Sequence, residues 1–189
     1  MVIDFHTHIF PARIAERTAQ ALAESGNITP YILPEAEALF DSMARAGIDQ
    51  SVTLPVCTRP DGADKLNRSL IEGLQRSAGQ GLIPFGAIHP DTPDIPGQLR
   101  LLKAHGIRGV KLHPAFQQCD LDDPRMLRLI GQISDSGLIT VCHGGMDVSY
   151  PRHNYASVPM ILTVLREVCP RRLVMAHMGA WGCWNRVLQ

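Results

Sequence analysis

Near its start the chain reads Val2-Ile3-Asp4-Phe5-His6-Thr7-His8, a short apolar run ending in two histidines one residue apart. In an extended strand, residues i and i+2 share a face, so His6 and His8 project together. Two neighbouring imidazoles at a strand end make half of a site for a divalent metal, and neutral imidazole suits zinc, iron and nickel. One such pair among eight histidines is also what chance can give. The positions of the other histidines decide between these readings.

Those positions follow from the elements that carry them. Short apolar runs at Ser51 to Val56, Leu82 to His89, Gly109 to His113, Leu138 to His143 and Leu173 to His177 read as five further strands. Between them lie helical patterns: Ile9 to about Asn27, Glu35 to Ala46, Asp61 to Ala78, Gly97 to His105, Pro124 to Ser136 and Val158 to Val168. Trp181 to Gln189 resembles the opening of one more helix, with Trp181 and Trp184 suited to core packing. Strands alternating with helices predict an α/β fold with a parallel sheet. The strands read as apolar on both faces, as they do where helices cover one side and a closed interior the other. No Gly-x-Gly-x-x-Gly or phosphate-binding loop follows any strand, which argues against a nucleotide fold. The expected architecture is a (β/α)8 TIM-type barrel, in which function gathers at the C-terminal strand ends. About six of the eight strand–helix units are legible, and 1–189 reads as one barrel domain truncated at its C-terminus.

Histidines stand at or just past the ends of five of these six strands: His6 and His8, His89, His113, His143 and His177. A barrel brings those positions to one mouth whatever their distance in sequence. His143 and His177 are each followed closely by glycine, in His143-Gly144-Gly145 and His177-Met178-Gly179, which lets the chain turn sharply beside a ligand. Lys111 alternates onto the face of His113. His89, before Pro90, reads as a strand terminus. Asp147 could meet substrate polar groups or close a turn. Cys142 points away from His143, which argues against a Cys–His nucleophilic pair.

Composition limits the alternatives. Apolar residues make up 45% and charged residues 19%, ordinary for a folded soluble domain, and the formal net charge is zero. Neither nucleic acid nor a membrane surface is suggested as a partner. The five cysteines are scattered without a Cys-x-x-Cys, which reads as reduced thiols in the cytoplasm. An exposed sheet edge in a shortened barrel would favour a homo-oligomer.

Taken in order, Asp4-Phe5-His6-Thr7-His8, Val110-Lys111-Leu112-His113-Pro114, His143-Gly144-Gly145 and Ala176-His177-Met178-Gly179 resemble the amidohydrolase superfamily. The branch most similar is the amidohydrolase-related one that includes the aminocarboxymuconate-semialdehyde and resorcylate decarboxylases. The resemblance implies a distorted barrel with one divalent metal, zinc first and manganese second. It implies His6, His8 and His143 as metal ligands and His177 as the catalytic residue. His113, Lys111 and Asp147 are then expected on the substrate side. In other branches a lysine at the position of Lys111 is carbamylated between two metals; in this branch it faces the interior or the substrate. The family's metal-binding aspartate at the eighth strand falls beyond this sequence. The expected function is metal-dependent hydrolysis of a C–N or C–O bond in a small organic substrate. Non-oxidative decarboxylation on the same scaffold, or a truncated barrel serving as a binding or oligomerising module, are the alternatives. The phosphoesterases that also open with Asp-x-His-x-His are disfavoured by Ile9-Phe10-Pro11 directly after His8.

Overall fold

A computed structural model describes residues 1–76 and 81–188. The chain begins with strand β1 (Ile3–Thr7), then helices α1 (Ala12–Gly26) and α2 (Ala36–Ala46). The alternation continues through β2 (Gln50–Thr53), α3 (Ala63–Arg76), β3 (Leu82–Pro84), β4 (Gly86–Ala87) and α4 (Ile95–Ala104). It ends with β5 (Gly109–Leu112), α5 (Pro114–Gln117), α6 (Pro124–Asp135), β6 (Ile139–Cys142), α7 (Val158–Glu167), β7 (Leu173–Met175) and α8 (Trp184–Val187). The last residues of the helix expected over Asp61 to Ala78 lie outside the described residues, as does Gln189.

All strand pairs are parallel and follow chain order, β1-β2-β3 and then β4-β5-β6-β7. This is the barrel order expected of strands joined by helices. The run predicted as one strand over Leu82 to His89 is broken at Phe85. Pro84 has no N–H to donate onward, while the Phe85 N–H still donates to the Thr53 carbonyl at 3.0 Å. The Phe85 side chain is buried and occupies the space a Cβ on Gly109 would need. The helix side of β4 is equally tight, because Leu102 of α4 lies where a Cβ on Gly86 would stand.

Helix boundaries follow their caps. Asp94 accepts a hydrogen bond from the Gly97 N–H at 2.8 Å, so α4 starts at Ile95, upstream of the expected Gly97. Asp123 accepts from the Arg125 N–H at 2.8 Å and Pro124 takes the first helical position of α6. Met126, Leu129, Ile130 and Ile133 of α6 form one buried stripe against β5 and β6. Each such side chain contributes about 1.5–3 kcal/mol by leaving water. Side chains alternate across the sheet as the pleat requires. Val110, Leu112 and Cys142 face the helices. Val52, Leu54, Phe85 and Val141 fill the interior, with Phe5 edge-on to Phe85 at 5.9 Å.

Three expectations change. The single turn α5, opened by Pro114, was not anticipated. Strand β1 is not apolar-buried on both faces: Ile3 and Phe5 are exposed, because β1 has a strand neighbour on one side alone among the described residues. Trp181 and Trp184 are 43% and 42% exposed and are not core residues; they cluster beside His177 instead. Among the described residues no helix is long and apolar enough to cross a membrane.

Candidate metal centre

The strand ends bring the predicted histidines together. The rings of His6 and His8 lie 5.0 Å apart, as their shared strand face requires. His6 is 5.1 Å from the ring of His177, His177 is 4.7 Å from that of His143, and His143 stacks on His113 at 4.2 Å. The chain of contacts thus crosses from β1 to β7 through the barrel mouth. His89 is buried but stays outside this group, since its Nδ1 accepts from the Asp91 N–H and its Nε2 faces the Gln117 carbonyl.

Lys111 is 0% exposed, and its Nζ donates to His6 Nε2 at 3.3 Å. Alternation along β5 forces this, because Val110 and Leu112 pack under the helices. Asp147 arrives on the segment after β6, which Gly145 starts with a left-handed φ of 85°. Its Oδ1 accepts from the Ser149 N–H at 2.8 Å, closing a turn. Its Oδ2 faces His113 Nε2 at 3.6 Å and His143 Nε2 at 3.9 Å. Asp147 therefore both closes a turn and points into the mouth. Among the described residues, His113, His143 and Asp147 form the group whose ligand atoms all lie within 4.8 Å of one another.

The turn after β7 is strained. His177 and Met178 hold φ of 62° and 55°, a region that disfavours residues with a Cβ and costs about 1–3 kcal/mol each. The Trp184 Nε1–H holds the His177 carbonyl at 2.9 Å, and His177 Nε2 meets His143 Nδ1 at 3.0 Å.

Burial sets the charge state of these groups. Loss of solvent, reinforced by Lys111, pushes His6 down to about 3. Burial and then His177 push His143 down to about 4. His113 and His177 are lowered for the same leading reason. At neutral pH the imidazoles are neutral, the form that binds metals. Burial also lowers Lys111 to about 8, raises Asp147, and raises Cys142 to about 12, so that thiol is no nucleophile.

A buried amide network missing from the sequence reading holds the strand ends. Gln117 Nε2 donates to the carbonyls of Cys57 at 3.1 Å and Ile88 at 2.8 Å, and its Oε1 accepts from the His113 N–H at 2.9 Å. Asn67 does the same for Ala87, donating to its carbonyl at 3.1 Å and accepting from its N–H at 3.0 Å. The one available signal for Gln117 was its place four residues after His113. Phe116 and Tyr150 were also not singled out together; they form an aromatic wall beside His113, with ring distances of 4.6 and 5.4 Å.

A divalent ion fits His113, His143 and Asp147; among the described residues the expected ligands His6 and His8 do not join that group. The donors are neutral imidazoles backed by a carboxylate, and His113 Nδ1 is a buried ring nitrogen without a hydrogen-bond partner. Sets of nitrogen and oxygen donors of this kind suit first-row metals.

No protein-family model matches the sequence, and no curated protein matches it. Solved structures do. IDCase from Metarhizium anisopliae, in apo form, is similar at TM-score 0.67 and 17% identity, over 95% of this chain and 65% of the other. A dihydroxybenzoic acid decarboxylase from a Polaromonas species, with manganese and 2-nitroresorcinol bound, is similar at TM-score 0.65 and 13% identity, over 94% and 65%. The 5-carboxyvanillate decarboxylase from Sphingomonas paucimobilis gives TM-score 0.63 at 13% identity, over 94% and 68%. The chain spans about two thirds of the length of these structures. It therefore shares the parallel (β/α) barrel fold of these structures over the residues that align with them.

Proposed function

We propose that residues 1–189 are the metal-binding part of an amidohydrolase-superfamily barrel enzyme, and that it removes carbon dioxide non-oxidatively from a small organic acid. The observation that supports this most is the convergence of His6, His8, His143 and His177 around a buried ammonium, Lys111. Among the described residues no carboxylate pairs with Lys111. A buried unpaired cation favours an anionic ligand, and a substrate carboxylate would supply the missing charge. The decarboxylases among the similar solved structures support the same reading.

His6, His8 and His143 would hold one divalent ion, zinc or manganese, which supplies Lewis-acid polarisation of substrate oxygens when bound. Lys111 anchors the carboxylate. His177, hydrogen-bonded to His143, would relay a proton from water to the carbon that loses the carboxyl group, its ring returning to the neutral form. Phe116 and Tyr150, packed edge to face, form an aromatic wall beside His113 that would shield the reacting carbon from water. His113 and Asp147 line the substrate side. A second reading, hydrolysis of a C–N or C–O bond, is supported by Asp147, a nearly buried carboxylate at the mouth whose Oδ2 is free of hydrogen bonds to protein groups among the described residues and could take a proton from water.

Metal content after dialysis, followed by carbon dioxide release from a panel of hydroxybenzoate-type acids, tests the proposal. About one zinc or manganese per chain, lost in the His6→Ala/His8→Ala variant, with carbon dioxide release that requires His177, is the expected outcome. Retained metal with hydrolysis of esters or amides and no carbon dioxide would move the assignment to the second reading.

A further inference from the structure

Helix α1 is long but weakly held. Its 15 residues extend about 22 Å at 1.5 Å per residue, yet Ala15 is the one residue it buries fully. Its first turn has no side-chain cap and no acidic residue. Arg13 stands there instead and Glu24 stands in the last turn, both opposed to the helix dipole. Among the described residues the single hydrogen bond from α1 to residues outside 10–34 joins Ser25 Oγ and Ser149 Oγ at 3.1 Å. A segment with so little buried surface and so few ties to its neighbours opens more readily than the core.

The placement of α1 gives such opening a use. The Phe10 N–H donates to the Pro34 carbonyl at 2.7 Å, so residues 10–34 leave and rejoin the barrel at one neck. At that neck Pro11, Ala12 and Arg13 border the same cleft as Pro55 and Pro84, on the β2–β3 side of the rim. The far end of α1 rests on the segment after β6. There Val148 Cγ2 is 3.1 Å from where a Cβ on Gly26 would stand, beside the Ser25–Ser149 contact. The Ser149 N–H in turn holds Asp147 Oδ1 at 2.8 Å. The helix therefore reaches from the β2–β3 side of the rim to the loop that aims Asp147 into the mouth. We propose that α1 and the connection after it, 27–34, form a lid on this mouth, pivoting at the Phe10–Pro34 neck and latched by Ser25 on Ser149. Its opening admits small molecules to the histidines, and its closure keeps bulk water from them. The lid rests on the reading of this mouth as the working site, and on neither the metal nor the reaction assigned there.

The variant Ser25→Cys/Ser149→Cys tests the lid. Sulfurs in place of oxygens 3.1 Å apart reach disulfide length, about 2.05 Å, with a small turn of the side chains. Oxidised glutathione locks the latch, dithiothreitol releases it, and peptide mapping distinguishes the bond from the thiols of Cys169 and Cys183. The same polypeptide, reduced, is the control for folding. Diethyl pyrocarbonate, a small electrophile that acylates neutral imidazole, reports access to His113 and His143, with the exposed His105 as reference. The expected result is that His113 and His143 react about tenfold or more slowly in the oxidised form, while His105 is unchanged. Rates in the oxidised form that equal or exceed those in the reduced form, no reaction in either, or failure of the disulfide to form overturns the lid. Zinc uptake by the reduced form separates this outcome from the functional reading. Bound zinc with equal acylation rates overturns the lid alone, whereas a rate difference without bound zinc upholds the lid and overturns the metal assignment.

Discussion

Gln117→Leu should destabilise the chain and loosen the proposed metal site together. The two side chains have similar volume, so the perturbation is the loss of three buried hydrogen bonds rather than a cavity. Gln117 is buried, and its amide holds the Cys57 and Ile88 carbonyls and the His113 N–H. After substitution those three backbone groups remain buried without the amide that satisfied them. Each unsatisfied group costs about 1–3 kcal/mol. Partial relaxation at the strand ends brings the expected loss to about 3–5 kcal/mol, a large fraction of a small domain's stability. Urea unfolding of the metal-free protein, monitored by circular dichroism, measures it as a shift in midpoint at constant slope. Because His113 loses its backbone anchor, zinc affinity should fall in the same variant. A stability loss below about 1 kcal/mol would show that the three strand ends are held by something other than this amide, and would refute the reasoning.

Acid should destabilise the metal-free chain. An unfolded histidine takes up a proton below about 6.5, whereas His143 in the folded chain refuses it until about 4, so stability is kept above that window and lost as pH falls through it. For His143 alone this amounts to about 2 kcal/mol between pH 7 and 5, and a melting temperature that does not fall over that range would contradict it. Lys111→Met should raise the melting temperature by removing a desolvated charge, while raising KM for a carboxylate substrate at least as strongly as it lowers kcat. Destabilisation in that variant would mean the ammonium has a partner that supports the fold.

Much of the fold was legible because it depends on local pattern. Apolar runs alternating with amphipathic helices, capped by residues such as Asp94 and Asp123, specify elements and their order with little help from distant contacts. The exceptions are positions where tertiary packing overrode the pattern. Leu82 to His89 is broken at Phe85, after Pro84, which has no N–H to donate, and the Phe85 ring packs against Gly109. Trp181 and Trp184 are apolar in type but lie at the exposed end of β7, where one of them holds the His177 carbonyl.

The sequence by itself determined that His6, His8, His113, His143 and His177 share one mouth, since strand periodicity and parallel order suffice to place strand ends together. Only the tertiary structure decided which nitrogen meets which partner. His89 sits at a strand end like the others, yet its ring is taken up by the backbone around Asp91 and Gln117. Asp147, a turn residue in sequence terms, reaches His113 from another strand's loop. Distances of 3 to 4 Å between groups more than thirty residues apart depend on how strands stagger and loops fold back, and no short-range pattern encodes them.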